Sequence, residues 1–227
     1  MENNPLSHTE QNYIKAIFKV QELSRSKAVS TNDIAERLQT QPATVTDMIK
    51  RLAEKKILTY KKYYGVRLTA KGEKTALDII RKHRLWEVFL VSKLHFKWDE
   101  VHVIAEQLEH IHSDELIDKL DDFLGNPEFD PHGDAIPDRK GNIRYSNAVP
   151  LNTLKKKESG VFCGLTNHDD RFLKYLDSIS LQLGDVVHVE SVNDYDLSCK
   201  VKFRKKHAEF FSAAVASSIL VKVQHGK

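Results

Sequence analysis

The stretch that decides the fold of the N-terminal part is QPATVTDMIKRLAEKKILTYKKYYGVRLTAKG, residues 41–72. Pro42 suits the first turn of a helix, and Val45, Ile49 and Leu52 recur after it at helical spacing. The following LTYKKYYGVRLTAKG alternates polar and apolar residues on both sides of a turn at Gly65, which is the pattern of a two-stranded ribbon. The segment therefore predicts a helix followed by a β-ribbon.

Two more helices are predicted before this segment. Apolar residues from Thr9 to Leu23 recur at helical spacing, and Ser30 and Thr31 can cap a second helix that ends before Pro42. Three helices followed by a ribbon make a winged helix-turn-helix, which we assign to residues 1–74.

The third helix of this fold is expected to read DNA. Its early side chains would meet base edges in the major groove, and they are Gln41, Ala43, Thr44, Thr46 and Asp47. Basic side chains would meet phosphates, and they are Lys50, Arg51, Lys55 and Lys56 on the helix and Lys61, Lys62 and Arg67 on the ribbon. The alternative is a winged helix that contacts protein.

Charge is distributed unevenly along the 227 residues, although the whole chain carries a net charge of only +3. Residues 1–75 have a net charge of +6, residues 76–150 of −6, and residues 151–227 of +3. The basic first third favours a polyanion as partner, and the acidic middle, which holds six of the 11 histidines, favours a cation. Solvated surface charge is the alternative.

The remainder of the chain divides into a helical part and a β part. Three amphipathic helices are predicted within residues 75–140, ending respectively at Leu94, Ile111 and Gly125, and they would pack against a second copy of the chain. Residues 141–152 are assigned as a linker. Beyond it the apolar periodicity changes to two, so residues 153–227 predict a small β domain, interpreted as an SH3-like barrel. The fold class is thus mainly α with a β C-terminal domain.

Composition excludes several classes of protein. No apolar run approaches the roughly 20 residues that span a bilayer, and the N-terminus lacks a signal-peptide pattern, so we expect a cytoplasmic protein without membrane contact. Cys163 and Cys199 have no metal-ligand spacing and predict neither a disulfide framework nor a structural zinc site.

The segment HVIAEQLEHIH, residues 102–112, holds the most informative cluster of side chains. Glu106, Glu109 and His110 stand at i, i+3 and i+4, so on a helix they emerge from one face within one turn. Two carboxylates and an imidazole are suitable ligands for a divalent cation.

A second set of metal-ligating residue types lies close in sequence. His83 and Glu87 form an i, i+4 pair on the preceding predicted helix, and His102 lies one turn before Glu106. An antiparallel neighbouring helix could bring the two sets together. A solvated helix surface is the alternative for each pair.

The chain resembles the diphtheria toxin repressor and manganese transport regulator family across residues 7–137, in eight segments that keep the family's order and spacing. These are TEQNYIKAIF, DIAERL, TVTDMIKRLAEKK, LTAKG, RKHRLWE, EVHVIAEQLEH, SDELIDKL and LGNPEFDPHG. The resemblance implies a homodimer that binds double-stranded operator DNA when metal is bound and represses metal-uptake genes.

The resemblance also assigns ligands. Glu106, Glu109 and His110 match one metal site, which in the family is completed from the first helix at the position of Asn12. Met or Asp is usual there, so Asn12 departs from the pattern. His83, Glu87 and His102 match an ancillary site to which the β domain adds ligands from the segment NHDDRF. His168 and Arg171 take the family positions there, and because Arg171 cannot ligate, Asp169 or Asp170 would substitute.

The residue at position 106 predicts which metal is bound. In the resembled family, iron-responsive members have Cys there and manganese-responsive members have Glu, and carboxylate oxygen suits Mn(II). We therefore expect Mn(II), with Fe(II) as the alternative. A metallohydrolase is the competing class, because carboxylates and histidines around a cation can activate water. The sequence contains neither HExxH nor a nucleophile elbow, and we expect no enzyme.

Overall fold

The computed structural model describes residues 6–24, 26, 28–144, 147–204 and 208–224. The chain forms two compact units. The first comprises the chain to His83 together with Glu106–Lys119 and Pro137–Asn142. The second comprises Arg84–Ala105, Leu120–Ile136 and the chain from Ile143 onward.

The first unit begins with three helices, α1 (His8–Ser24), α2 (Thr31–Arg37) and α3 (Pro42–Glu54). Ser30 caps α2 reciprocally with Asp33: the Ser30 hydroxyl accepts the Asp33 N–H at 3.1 Å, and the Asp33 carboxylate accepts the Ser30 N–H at 3.2 Å. Pro42 is the first residue of α3, where its missing N–H costs nothing. The helices predicted from the sequence are thus present.

A β-ribbon follows, with β1 (Leu58–Lys61) antiparallel to β2 (Gly65–Leu68). Gly65 has a φ of +91°, and a Cβ there would lie 2.6 Å from the carbonyl oxygen of Val29, so this position requires glycine. The ribbon closes over a core of buried apolar side chains. They include Ile14, Ile17, Ile34, Val45, Ile49, Leu52, Val66 and Leu68.

Three further helices are α4 (Ala70–Leu94), α5 (Trp98–Leu108) and α6 (Asp114–Phe123). Helix α5 ends three residues before the predicted end at Ile111. The Ile111 N–H donates to the carbonyl of Leu108 at 3.1 Å, so the chain closes a tight turn there instead of another helical turn. Helix α6 ends before Gly125, whose φ is +80°.

The C-terminal part of the second unit is a six-stranded sheet in which every neighbouring pair is antiparallel. The strand order is β3-β8-β4-β5-β6-β7. The strands are β3 (Val149–Pro150), β4 (Ser159–Leu165), β5 (Val186–Val192), β6 (Cys199–Phe203), β7 (Glu209–Phe211) and β8 (Ile219–Gln224).

Helices α7 (Asp170–Ser178) and α8 (Ala213–Ser218) accompany this sheet. Its core is built on Phe162, Phe203 and Phe211, which are almost fully buried. The expected C-terminal β domain is present, and its sheet includes β3, which lies in the segment 141–152 that was assigned as a linker. The fold class, helical with a C-terminal β domain, is confirmed.

Within the described residues, none of the helices has the length and apolar character required to cross a membrane.

Candidate metal centres

The first candidate centre, in the first unit, is organised around Glu109. Because α5 ends at Leu108, Glu109 and His110 lie in the turn after the helix and only Glu106 lies on the helix itself. Glu109 is buried, and its carboxylate oxygens lie 2.7 and 2.8 Å from the Lys15 Nζ atom on α1. The His83 Nδ1 atom lies 2.6 Å from the same carboxylate. Glu109 therefore joins the beginning of the chain to α4.

These contacts determine the charge on Glu109. Burial alone would raise the pKa of its carboxyl group, but the hydrogen bond from His83 and the charge of Lys15 outweigh burial and lower the pKa below the ordinary value. The side chain is therefore a carboxylate at neutral pH.

His110 is buried beside the start of α1. Its Nδ1 atom lies 2.8 Å from the side-chain oxygen of Gln11, and its ring stacks on His8 at a centroid distance of 4.3 Å. Burial lowers the pKa of His110, which favours the neutral imidazole that ligates metals. Asn12 is exposed, whereas Gln11 is buried. One residue along a helix turns the side chain by about 100°, so Gln11, and not the predicted Asn12, contacts His110.

Glu106 is the outermost member of the predicted set. Its side chain is 50% exposed, and one oxygen lies 3.5 Å from the Lys15 Nζ atom. Two carboxylates, an imidazole and an amide oxygen suit a hard divalent cation. The Lys15 ammonium, however, contacts both carboxylates. The residue types fit a metal, but their positive partner here is a lysine.

A second candidate centre lies in the second unit. Ligand atoms of Glu87, Asp130 and His132 all lie within 4.8 Å of one another, and all three side chains are buried. Glu87 is on α4, and the other two belong to the loop between α6 and β3. Neither Asp130 nor His132 was assigned to a site from the sequence, so this centre was missed.

Backbone contacts fix the loop that carries Asp130 and His132. The Asp130 carboxylate accepts the N–H groups of His132 and Asp134 at 2.8 and 2.9 Å. The His132 carbonyl accepts the Leu165 N–H at 3.0 Å. At Gly133, with a φ of +86°, a Cβ would collide with the carbonyl of Cys163, so only glycine allows this approach.

The second centre has strongly perturbed ionisation. Burial alone would lower the pKa of His132, but the nearby Glu87 carboxylate and the charge of Asp130 raise it to about 9. Burial and the neighbouring Glu87 raise the pKa of Asp130 to about 7, against the opposing charge of Arg84. Buried acidic groups that repel one another favour positive charge in their midst, which protonated His132 supplies here and which a divalent cation would supply by displacing that proton.

The other residues that the sequence assigned to the ancillary site are His102, His168, Asp169 and Asp170. The His102 Nδ1 atom lies 3.5 Å from a carboxylate oxygen of Glu87. The His168 ring packs edge-on against His132, with ring centroids 5.5 Å apart. Asp169 caps α7 and accepts the Arg171 N–H at 2.9 Å, and it also pairs with the Arg171 guanidinium. The Asp170 side chain lies outside the described part of the structure.

The predicted DNA-reading face is exposed on the first unit. Gln41, Ala43, Thr44 and Asp47 are solvent-exposed, as are Lys50 and Arg51 further along α3, whereas the opposite side of the helix is buried in the core. Thr46 differs, because it is only half exposed and its hydroxyl donates to the Pro42 carbonyl at 2.9 Å.

The ribbon carries a basic and aromatic tip. Lys61 lies over the ring of Tyr64, with Nζ 4.2 Å from the centroid, and Lys62 lies over Tyr63. Arg67 is exposed on β2. Cations positioned at an exposed ribbon tip are suited to phosphate contacts.

Comparison with protein families identifies both parts of this arrangement. Residues 5–66 match the iron dependent repressor N-terminal DNA binding domain, and residues 69–138 match the iron dependent repressor metal binding and dimerisation domain. The chain belongs to the iron-dependent repressor family. Residues 149–223 match the FeoA domain. The family resemblance drawn from the sequence is confirmed.

Individual proteins agree with this assignment. The iron-dependent repressor IdeR of Mycobacterium leprae is 33% identical over 134 residues, which cover 59% of this chain and 57% of IdeR. A probable metal transport system membrane protein of Chlamydia trachomatis is 49% identical over 72 residues, which cover 32% of this chain and 16% of that protein. The chain thus matches less than two thirds of the length of these curated relatives.

A solved structure matches more completely. A manganese-dependent transcriptional repressor in complex with manganese superposes with a TM-score of 0.81 at 33% identity, covering 95% of this chain and 100% of the other.

Proposed function

We propose that the chain is a metal-dependent transcriptional repressor that binds operator DNA as a homodimer when Mn(II) is bound. In this role it controls metal-uptake genes and acts in the cytoplasm, where the DNA lies. The observation that carries the proposal is that an exposed DNA-reading helix and the Glu106, Glu109 and His110 set belong to one compact unit. There the metal-ligating residue types contact α1, a helix of the winged domain.

The proposed DNA contacts follow from the exposed side of α3. Gln41 and Thr44 at its start can bond base edges, and Ala43 can pack on a thymine methyl group. Lys50 lies 3.5 Å from Asp47 in an exposed pair that water screens, so Lys50, Arg51 and the ribbon cations can all contact phosphates. Thr46 is the weakest base-reading candidate, because its hydroxyl proton is used within the helix.

Mn(II) is proposed because carboxylates outnumber imidazoles in both candidate metal centres. Position 106 carries Glu, and the second centre supplies Glu87 and Asp130 with one imidazole from His132. Such oxygen-dominated sets suit Mn(II). The manganese complex of the similar repressor supports this choice, whereas the similarity to an iron-dependent repressor keeps Fe(II) as the alternative.

The homodimer is proposed to form through the region from α4 to α6. Phe123 at the end of α6 is 64% exposed and lies against Phe89, with ring centroids 6.4 Å apart. Leu94 at the end of α4 is also exposed. Large exposed apolar side chains are typical of a surface that pairs with a second copy.

Two experiments test this proposal. Sedimentation of the full chain should give a dimer, and Phe123→Glu should give a folded monomer. Footprinting with Mn(II) on DNA upstream of the protein's own gene should show an inverted repeat with half-sites about 10 base pairs, or a multiple, apart. A wild-type monomer that protects a single asymmetric half-site would contradict the homodimer.

A further inference from the structure

The Lys15 side chain is an unusual neighbour for a set of metal-ligating residue types. Its Nζ atom lies 2.7 Å from Glu109 and 3.5 Å from Glu106, and the lysine side chain is only 16% exposed. Lys15 is on α1, four residues after Gln11, which contacts His110. The Lys15 ammonium thus bridges the carboxylates of Glu106 and Glu109. It lies on α1, the same helix whose Gln11 contacts the imidazole of His110.

The surroundings make this pairing stronger than a surface ion pair. Exposed lysine–carboxylate pairs contribute little because water screens them. The Glu109 side chain is fully buried, and the imidazole of His83 also contacts it. Removing Lys15 without replacement would leave Glu109 with less positive charge to offset its burial.

A metal ion and the Lys15 ammonium compete for the same oxygens. Divalent cations hold carboxylate oxygens at about 2.0–2.6 Å, a distance that leaves no room for an ammonium on the same lone pairs. The two positive charges would also repel each other strongly in a buried setting.

We propose that the Lys15 ammonium occupies the cation position of the Glu106, Glu109 and His110 set, and that a divalent metal binds there only by displacing it. This inference rests on the proposed function for the identity of the metal. It deepens that function, because Lys15 then sets the metal concentration at which the site fills. Lys15 joins α1 to Glu109 through one positive charge, and a bound divalent metal would put two positive charges at that position.

Metal affinity provides the first test. Mn(II) binding to the full chain would be followed by calorimetry and by the loss of the free-ion paramagnetic resonance signal. Lys15→Met removes the charge at similar length and should tighten one class of Mn(II) site by at least about tenfold, since a competing charge is gone. Lys15→Arg keeps the charge and should stay near wild type. The double variant Lys15→Met, Glu106→Gln should lose the tighter Mn(II) binding of Lys15→Met. That loss would assign the tighter binding to the Glu106, Glu109 and His110 set.

The matched control is Lys119→Met, which removes the exposed ion pair between Lys119 and Glu115 at 2.8 Å. It should leave Mn(II) affinity unchanged. Unchanged or weaker Mn(II) binding in a folded Lys15→Met chain would overturn the proposal.

A second measurement uses the wild-type chain and therefore does not depend on a variant that folds. Lysine acylation followed by mass spectrometry should show slow modification of Lys15 in chelator and faster modification with Mn(II), while Lys119 reacts equally in both. Lys15 labelling that stays the same or falls with Mn(II) contradicts displacement.

The outcomes separate the two proposals. If Mn(II) exposes Lys15 but does not change operator binding, the displacement holds and the regulatory function fails. If Mn(II) activates operator binding without exposing Lys15, the function holds and the displacement fails.

Discussion

The Nδ1 atom of His132 lies 3.7 Å from a carboxylate oxygen of Glu87, and both side chains are buried. Asp130 completes the cluster from the same loop as His132. A single helix cannot supply this geometry, since it depends on the loop after α6 reaching α4.

This pair gives the first prediction. Glu87→Gln or His132→Ala should weaken Mn(II) binding at the second centre by at least about tenfold, because each removes a ligand whose partners are already in place. Calorimetry would measure the loss. His112→Ala, which changes an exposed histidine, is the control and should bind Mn(II) as wild type does. Normal Mn(II) stoichiometry and affinity in both variants would exclude the cluster as a metal site.

The second prediction concerns Glu106, Glu109 and His110. Glu106→Ala and His110→Ala should abolish metal-dependent operator binding, because each removes a metal-ligating side chain. Glu106 is half exposed, so its loss should leave the fold intact, whereas His110 is buried and the folding of its variant is checked by circular dichroism. Glu106→Cys should shift the order of activating metals away from Mn(II) towards softer ions. An unchanged order of metals, measured by DNA binding, would mean that position 106 does not set selectivity.

The third prediction separates base recognition from phosphate binding. Gln41→Ala and Thr44→Ala should each weaken operator binding more than binding to random DNA, by about 1–3 kcal/mol where the side chain bonds well to a base. Lys62→Ala should weaken both alike and reduce the salt dependence. Equal losses of affinity on operator and random DNA for Gln41→Ala would show that α3 does not read bases.

The fourth prediction is a pH dependence of stability within the winged helix. The Lys55 Nζ atom lies 2.6 Å from the Glu10 carboxylate, which also accepts the Ser7 N–H at 2.9 Å. Burial alone would raise the pKa of Glu10, but the hydrogen bonds from Lys55 and Ser7 hold it below the ordinary 4.5. A lowered folded pKa contributes stability above the unfolded value, and that contribution is lost as pH falls through the folded pKa.

Lys55→Met should therefore lower the free energy of unfolding by about 1 kcal/mol at pH 7, the usual size for such a hydrogen bond. The difference from wild type should vanish as Glu10 becomes protonated in acid. Denaturant titrations at several pH values would measure it. A deficit that stays constant into acid would mean that Lys55 stabilises the fold through packing and not through Glu10.

Much of the fold follows from local sequence patterns. The core side of α3 and the Gly65 turn are set by periodicity and turn chemistry, and each lies where the sequence places it. Helix α6 ends at Phe123, two residues before the predicted end at Gly125. The end of α5 does not follow from its pattern. Glu109 and His110 fit helical spacing equally well, but their buried contacts with Lys15, His83 and Gln11 are made from a turn.

The candidate sites were predictable only in part. The i, i+3, i+4 spacing singled out Glu106, Glu109 and His110, whereas Asp130 and His132 sit in a loop without periodicity. The segment LGNPEFDPHG contains both residues and carried part of the family resemblance, but neither residue was assigned a ligand role from it. Lys15 could not be recognised, because a lysine on an amphipathic helix gives no sign of which side chain it will meet.

The most direct test of metal-dependent DNA binding is a fluorescence anisotropy titration of the full chain on DNA upstream of its own gene. It would be run with Mn(II) and with chelator, and against random DNA of equal length and salt. We expect Mn(II) to tighten binding to the upstream DNA by about 10- to 100-fold, the range of ordinary allosteric coupling, with a much smaller change on random DNA. Equal affinity for the upstream DNA with Mn(II) and with chelator would contradict metal-dependent repression.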